Sequence, residues 1–402
     1  MAAYDFSDYE WLTSVAAAPL LRDLQEKLGN GGQVDVRLAA SLRKSQSASR
    51  THLLLEQVEL RNRARAKFSQ PERMFFTRKG LEQSTDEAIA GVKARRFAAL
   101  KVEQPIIADL CCGIGGDLLA LAGLGTAHGY DSDAVSALFA TRNLDVLVRA
   151  TSRALATKAA TEAVTGASAW HIDPDRRPTG ERTIELADYE PGPEFLQQLL
   201  TTNPNGGVKI SPAADVNEPT WTECEREWLG SRGECRQQVL WFGGLATNAG
   251  QHVATVVDSA GKATSFAGDE STPITLADNI AAYVYEPDAT VLAAHLAGAF
   301  AQQHELLGIT SGGGYLTGDR KLLSSLLATF RVRDVLPFDV KKLKAYCRER
   351  NLGQLEIKKR NVELEPFRLR REIMAKGDEA AVIFVTPFAG SVKAIIADRI
   401  VS

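Results

Sequence analysis

Residues 106–131, IIADLCCGIGGDLLALAGLGTAHGYD, leave this chain few folds to choose from. An apolar run from Ile106 to Ala108 meets an acid, Asp109. A glycine-rich turn follows at Gly113, Gly115 and Gly116, then an apolar helix start at Leu118. A second short strand, Ala127 to Tyr130, ends in another acid, Asp131. Strand, glycine turn, helix, strand and acid make the layout of a nucleoside-cofactor site on a doubly wound sheet. Glycines let the backbone approach a ligand closely. An acid at the end of the second strand can accept both hydroxyls of a ribose.

The nucleoside is narrowed by the order of residues. A dinucleotide site uses G-x-G-x-x-G and faces a pyrophosphate. Here the order is D-L-C-C-G-I-G-G-D, and Asp109 precedes the glycines, where it would repel a pyrophosphate. Such an acid suits a ligand with a positive amino group. An ordinary buried strand and turn, or a nicotinamide site, are the competing readings of these residues. The pattern resembles the first motif of class I S-adenosylmethionine (SAM) methyltransferases, most of all the D-x-x-C-G-x-G-G form of several RNA methyltransferases. The resemblance implies that Asp109 lies near the methionyl amino end and that Cys111 to Gly116, with Gly113, Gly115 and Gly116 among them, pass under S-adenosyl-L-methionine. It implies that Asp131, with Ser132 after it, holds the ribose. The segment before the first strand often closes over the methionine end in that family, which makes Gln83, Ser84 and Thr85 further candidates. Read without the resemblance, Ser84 or Thr85 is a plain N-cap for a helix starting at Asp86.

A second motif, SAWHIDPDRRP, covers 168–178. A strand runs into Asp173-Pro174 at its C-terminal edge, facing the same crevice as the glycine turn. Methyltransferases of exocyclic amines carry Asn/Asp-Pro-Pro-aromatic at the matching strand end. There the acid or amide and a prolyl carbonyl hold the target NH2, and the ring stacks on the base. Asp173 and Pro174 fit that pattern; Asp175 replaces the second proline and Arg176 the aromatic, with Arg177 next. A guanidinium plane can stack on a base or bind phosphate. A structural turn with an internal salt bridge is the other reading of DPDRR. Asp173 could take a proton late as a general base would. His171 shares its face of the strand, two residues upstream, and reads as a core or supporting residue. Lys209, at the end of the next strand, is a weaker rim candidate.

The rest of the chain organises around these motifs. Apolar spacing predicts one helix over 9–28 and two more over 34–46 and 51–68, a helical N-terminal domain of residues 1–72. The alternation that follows, 106–110 strand, 117–124 helix, 126–130 strand, 133–148 helix, 168–172 strand, 192–201 helix, 207–210 strand, assigns 73–282 to the cofactor domain. QVLWFGGL reads as a strong strand, and 252–268 as a hairpin. An α+β C-terminal domain takes 283–402, with its core at 331–402; a turn at Pro287 and one amphipathic helix open it. The expected class is α/β, a Rossmann-like sheet flanked by these two outer domains.

Charge is distributed unevenly. Arg43 to Lys79 holds 10 Lys or Arg against 3 Glu, and Arg331 to the end holds 16 against 10. The whole chain is at −3, so its middle is strongly acidic. Basic ends around an acidic centre fit a protein that grips a polyanion with its outer modules; solvated helix faces explain the same charges equally well. The five cysteines show no C-x2-C pairing, so no zinc site is expected, and their odd count argues against a disulfide framework. No 18-residue apolar stretch occurs and the first residues read unlike a secretory signal, so a cytoplasmic location without membrane attachment is expected.

RARAKF, LEQST, DLCCGIGGD, GYDSD, HIDPDRR, WFGGL, YEPDATV, YLTGD and LEIKKR together resemble a bacterial group of class I SAM methyltransferases with a C-terminal THUMP-like domain. The resemblance runs from about residue 50 to the end. It implies an RNA substrate, tRNA first, because THUMP domains are RNA-binding modules of tRNA-modifying enzymes; a methyltransferase of a small molecule or protein, and a non-catalytic RNA-binding protein on a SAM-binding scaffold, are the alternative readings. The core is also similar to trimethylguanosine synthases, which carry D-P-P-W; this chain lacks that tryptophan, so cap-type chemistry does not carry over. Lys358, Lys359 and Arg360, with Arg368, Arg370 and Arg371, could track a phosphate backbone.

Overall fold

The computed structural model describes residues 4–28, 36–147, 152–176, 183–216, 218–374 and 376–401. These divide into two compact units: residues 1–225, 237–249 and 259–262, and residues 226–236, 250–258 and 263–402.

The first unit opens with helices α1 (Phe6–Leu12), α2 (Ala18–Leu28), α3 (Val36–Leu42) and α4 (Ala48–Ala64). The expected single helix over 9–28 is broken at residues 13–17. Pro19 explains the break: its ring clashes inside a helix but fits a first turn, where α2 places it. Leu12, Leu21, Leu24, Leu54 and Val58 from these helices form one core with Ile114 and Phe139 of the sheet region. Helices α5 (Arg78–Gln83) and α6 (Glu87–Ala98) lead to the sheet. Asp86, rather than Ser84 or Thr85, caps α6, its side chain accepting from Ile89 N at 2.9 Å.

The sheet of this unit contains β1 (Ile106–Leu110), β2 (Thr126–Asp131), β3 (Arg153–Ala156), β4 (Ala169–Ile172) and β5 (Gly206–Ile210) in the order β3-β2-β1-β4-β5. All five are parallel. Helices α7 (Gly116–Ala122), α8 (Ala134–Leu147) and α9 (Pro193–Thr202) connect them. The strand order reverses between β1 and β4, and a doubly wound sheet binds its ligand at that switch point, beyond the strand C-termini. Two later strands are β6 (Glu225–Ser231), which from Arg226 on belongs to the second unit, and β7 (Glu234–Trp241), whose residues 238–241 run antiparallel to β5. The strand expected in QVLWFGGL stops at Trp241 and gives way to a turn, where Gly243 has φ +59°.

The second unit carries β8 (His252–Val257), parallel to β6, and β9 (Ala263–Gly268), antiparallel to β8. Its own seven-stranded sheet uses β10 (Tyr283–Pro287), β11 (Leu307–Gly308), β12 (Leu316–Gly318), β13 (Leu327–Pro337), β14 (Leu352–Lys359), β15 (Glu379–Phe388) and β16 (Ser391–Ile400). Their order is β11-β12-β10-β13-β16-β15-β14, which leaves β14 at an edge. The helix expected after Pro287 is two short ones, α10 (Ala289–Ala293) and α11 (Ala297–Gln303), separated where His295 takes φ +58°. Helices α12 (Val340–Glu349) and α13 (Pro366–Ile373) pack on β14, burying Leu343, Cys347, Leu369 and Ile373. Among the described residues no helix is long and apolar enough to cross a membrane.

Candidate active site

The site starts from β1, which delivers Asp109 into the interior; the residue is 1% exposed. Register places it between Gly129 on β2 and His171 on β4. The chain then doubles back over the strand end. Cys111 (φ +55°), Gly113 (φ +55°) and Gly115 (φ +91°) all adopt left-handed conformations. For Cys111 that geometry costs on the order of 1–2 kcal/mol, a strain of the kind concentrated at ligand sites. A side chain at Gly115 would add contact with the Ala140 backbone at 3.4 Å. Gly115→Ala is therefore expected to lower stability by about 1–2 kcal/mol, read from the urea midpoint. An unchanged midpoint would mean that the turn has other conformations of equal energy.

The loop is tied to the end of β2. Gly113 N donates to Asp131 Oδ2 at 2.8 Å, and Asp133 N to Asp131 Oδ1 at 2.9 Å. Burial pushes the Asp131 carboxyl above the ordinary aspartate value against these two donors. A Cβ on Gly113 would meet open space, whereas one on Gly116 would meet Thr85 O at 3.1 Å. Gly113 thus lines the opening and Gly116 packs under it. Ser132 is exposed beside Asp131. Cys111 sits among four acids: burial first, then Asp131, Asp173, Asp109 and Asp175, push its thiol far above its usual value. A thiol held protonated is no thiolate nucleophile. Asp173 N donates to Leu110 O at 3.2 Å, which sets the two sequence motifs side by side at the strand ends.

Asp109 is half committed. Its Oδ1 lies 2.7 Å from His171 Nδ1, and its Oδ2 is buried with no partner. On the far side His171 Nε2 lies 3.3 Å from Lys93 Nζ. A lysine ammonium only donates, so Nε2 accepts and Nδ1–H points at Asp109. Lys93 also reaches Asp117 Oδ1 at 2.6 Å, and Thr85 donates to Asp117 Oδ2 at 2.7 Å. Burial drives the Lys93 ammonium down despite Asp117. Burial would raise Asp117, but Lys93, His171 and Lys209 outweigh it and hold the carboxyl well below the usual range. Thr85, a sequence candidate for cofactor contact, is 5% exposed and spends its hydroxyl proton here.

At the β4 end, Asp173 Oδ2 pairs with Lys209 at 2.6 Å. Burial lowers the Lys209 ammonium, but Asp173 and Asp117 together raise it. Asp175 pairs with Lys79 at 3.1 Å and bridges to Glu190 through its backbone. Pro174 is buried and Arg176 half-buried; Arg177 lies outside the described residues. Trp170 points away from the crevice into the core with Leu196 and Leu199.

Sequence reasoning missed Lys93, Asp117 and Lys79. Lys93 had a signal: it falls on the apolar stripe of α6 with Ile89, Ala90, Ala94 and Phe97, all buried. A lysine at such a position must be paired to be tolerated. Part of the basic run at 43–79 is also spent internally. Arg61 is 6% exposed and donates to Met74 O, and burial lowers its pKa to about 10. Lys67 donates to Leu81 O, Glu82 O and Ser84 O.

An unpartnered buried carboxylate oxygen beside an open glycine turn fits the ammonium of a methionyl group. A second carboxylate, oriented by two backbone donors, fits a ribose. The chain is 30% identical over 366 residues to an uncharacterised S-adenosylmethionine-dependent methyltransferase of Mycobacterium tuberculosis, found in strains CDC 1551 and H37Rv, and the match covers 88% of this chain and 98% of the relative. The chain therefore belongs to the S-adenosylmethionine-dependent methyltransferases, and S-adenosyl-L-methionine is its cofactor. Within that class, its residues 327–399 match the THUMP domain-like family. A crystal structure from Porphyromonas gingivalis W83, carried under a provisional methyltransferase name, superposes over 100% of both chains with TM-score 0.78 at 20% identity, which shows a shared fold. When bound, S-adenosyl-L-methionine supplies an electrophilic methyl group.

Proposed function

We propose that the protein methylates RNA, with tRNA or rRNA bases as the substrate class, tRNA first, and an exocyclic amine as the acceptor group. The observation that carries the RNA reading is the THUMP domain-like match at 327–399. The excess of cations from Arg331 onward supports it. In this reading residues 1–72 and 283–402 flank a catalytic domain at 73–282, and the enzyme works in the cytoplasm. Asp109, Cys111, Gly113, Gly115 and Gly116 cradle the methionine end, with Thr85 supporting them from below. Asp131 and Ser132 take the ribose. Asp173, Pro174, Asp175 and Arg176 receive the acceptor: Asp173 accepts a hydrogen bond from the amine and takes its proton after methylation, and Arg176 stacks on the base or pairs with phosphate.

The test is transfer of tritiated methyl from S-adenosyl-L-methionine into fractionated cellular RNA, with a protein fraction as control. Counts in the protein fraction alone would make this a protein methyltransferase. The cofactor assignments have a separate test. A ligand present at a hundred times its Kd stabilises by about 2.7 kcal/mol. S-adenosylhomocysteine should raise Tm accordingly, and Asp131→Ala should abolish the rise; an undiminished rise moves the ribose contact elsewhere. Asp131 binds as the carboxylate, and burial raises its pKa. Affinity should therefore fall on acidification from a higher pH than the roughly 3.9 of an ordinary aspartate would give. Asp131→Asn should remove that dependence.

A further inference from the structure

We infer that the α12–α13 face of the C-terminal sheet binds single-stranded RNA, with one base stacked on Phe367 and its phosphates held by Arg370 and Arg371. The inference rests on the RNA reading above and gives it a place.

Four exposed residues of one stripe carry it. Phe367, Arg370, Arg371 and Met374 follow i, i+3, i+4, i+7 spacing, which aligns them along one side of α13 and its cap. Leu369 and Ile373, on the other side, are buried. Phe367 is 68% exposed and Met374 58%. An exposed phenylalanine beside two arginines is not a packing residue. It lines a cleft of about 270 Å³ with Arg370, Arg371, Leu355 and Gly353. The cleft is open to solvent on one side and has room for a group the size of a nucleobase.

The surroundings set the charge of the ligand. Helices α12 and α13 hold seven Lys or Arg (Lys341, Lys342, Lys344, Arg348, Arg368, Arg370, Arg371) against Glu349 and Glu372. All seven cations are exposed. Among the described residues the ion pair on these helices is Arg368–Glu372, at 2.9 Å. The other six cations are left for a polyanion. Aromatic stacking next to unspent guanidinium groups is how single strands are held without sequence preference. A duplex hides its base faces and could use the cations alone. A membrane surface would need a continuous apolar face, and here two arginines separate the two apolar side chains.

Fluorescence anisotropy of the full chain with a labelled 15-nucleotide single-stranded RNA, and with a blunt-ended duplex of equal length, decides the matter. Phe367→Ala should weaken single-strand binding about tenfold and leave duplex binding unchanged, and Phe367→Tyr should restore it. Arg370→Ala with Arg371→Ala should flatten the slope of log K against log salt by about 1.4, or 0.7 per phosphate contact. The rise in Tm with S-adenosylhomocysteine should survive all these changes, which controls for folding. RNA binding with no response to either set of variants would overturn this site while leaving the RNA reading standing. No RNA binding by the unmodified chain would overturn both. Phe367-dependent binding to anionic phospholipid vesicles, with none to RNA, would replace it with a membrane contact.

Discussion

Lys93→Met is expected to destabilise the first unit by about 3–5 kcal/mol, the usual cost of removing one partner of a buried ion pair. Lys93 is 2% exposed and its Nζ lies 2.6 Å from Asp117. Methionine approximates its volume, so the loss reports charge and not a cavity. It leaves the Asp117 carboxylate buried without its counter-charge and His171 Nε2 without its donor. The sign with pH follows from Asp117, whose pKa in the folded protein is depressed. Its contribution is present above the unfolded value, about 3.9, and is lost as pH falls through the folded value. The deficit of Lys93→Met is therefore largest near neutrality and shrinks on acidification. Adding Asp117→Asn should recover part of the loss, because both charges are then gone. Urea unfolding followed by circular dichroism measures all three; a single variant within 1 kcal/mol of the parent would show that the interior tolerates Asp117 alone.

Asp173→Ala is expected to lower turnover at least a hundredfold, the lower range for a positioned general base. Binding of S-adenosylhomocysteine should stay nearly unchanged, since Asp131 and Asp109 are separate from it. Asp173→Asn divides the role: it keeps an oxygen that can accept from the amine but cannot take its proton. If Asn restores most of the rate, positioning is the contribution of this residue. If Asp173→Ala weakens cofactor binding and turnover equally, Asp173 belongs to the cofactor site.

Much of the central sheet was legible because its signals are local. Strand β1 was read to the residue, and α7, β2, α8, β4, α9 and β5 within about two residues. Each is announced by neighbouring residues: apolar alternation, glycines, an acid at a strand end. Strand β6 was missed for the opposite reason. Its sequence, EREWLGS, begins with Glu225 and Glu227, which are 0% and 4% exposed. Glu225 is tolerated because Arg96 meets it with two hydrogen bonds, at 2.6 and 3.2 Å, and Glu227 accepts from Thr255 at 2.5 Å. Those partners lie 129 and 28 residues away, so no window of sequence contains the reason for the strand.

The same division runs through the opening segment. The acid before the glycines, the spacing to Asp131 and the strand ending at Asp173 pointed to a nucleoside site on a doubly wound sheet and carried the resemblance to class I SAM methyltransferases. Backbone conformation at a turn and the side of a strand a residue faces are properties of adjacent residues. What Asp109 does with its two oxygens was decided only by tertiary structure. One oxygen is taken by His171, 62 residues away, which leans on Lys93, 78 residues from itself. The other is left bare beside the glycine turn. Burial and charge pairing are set by what the fold brings together, and a buried charge takes its meaning from its partner rather than from its place in the chain.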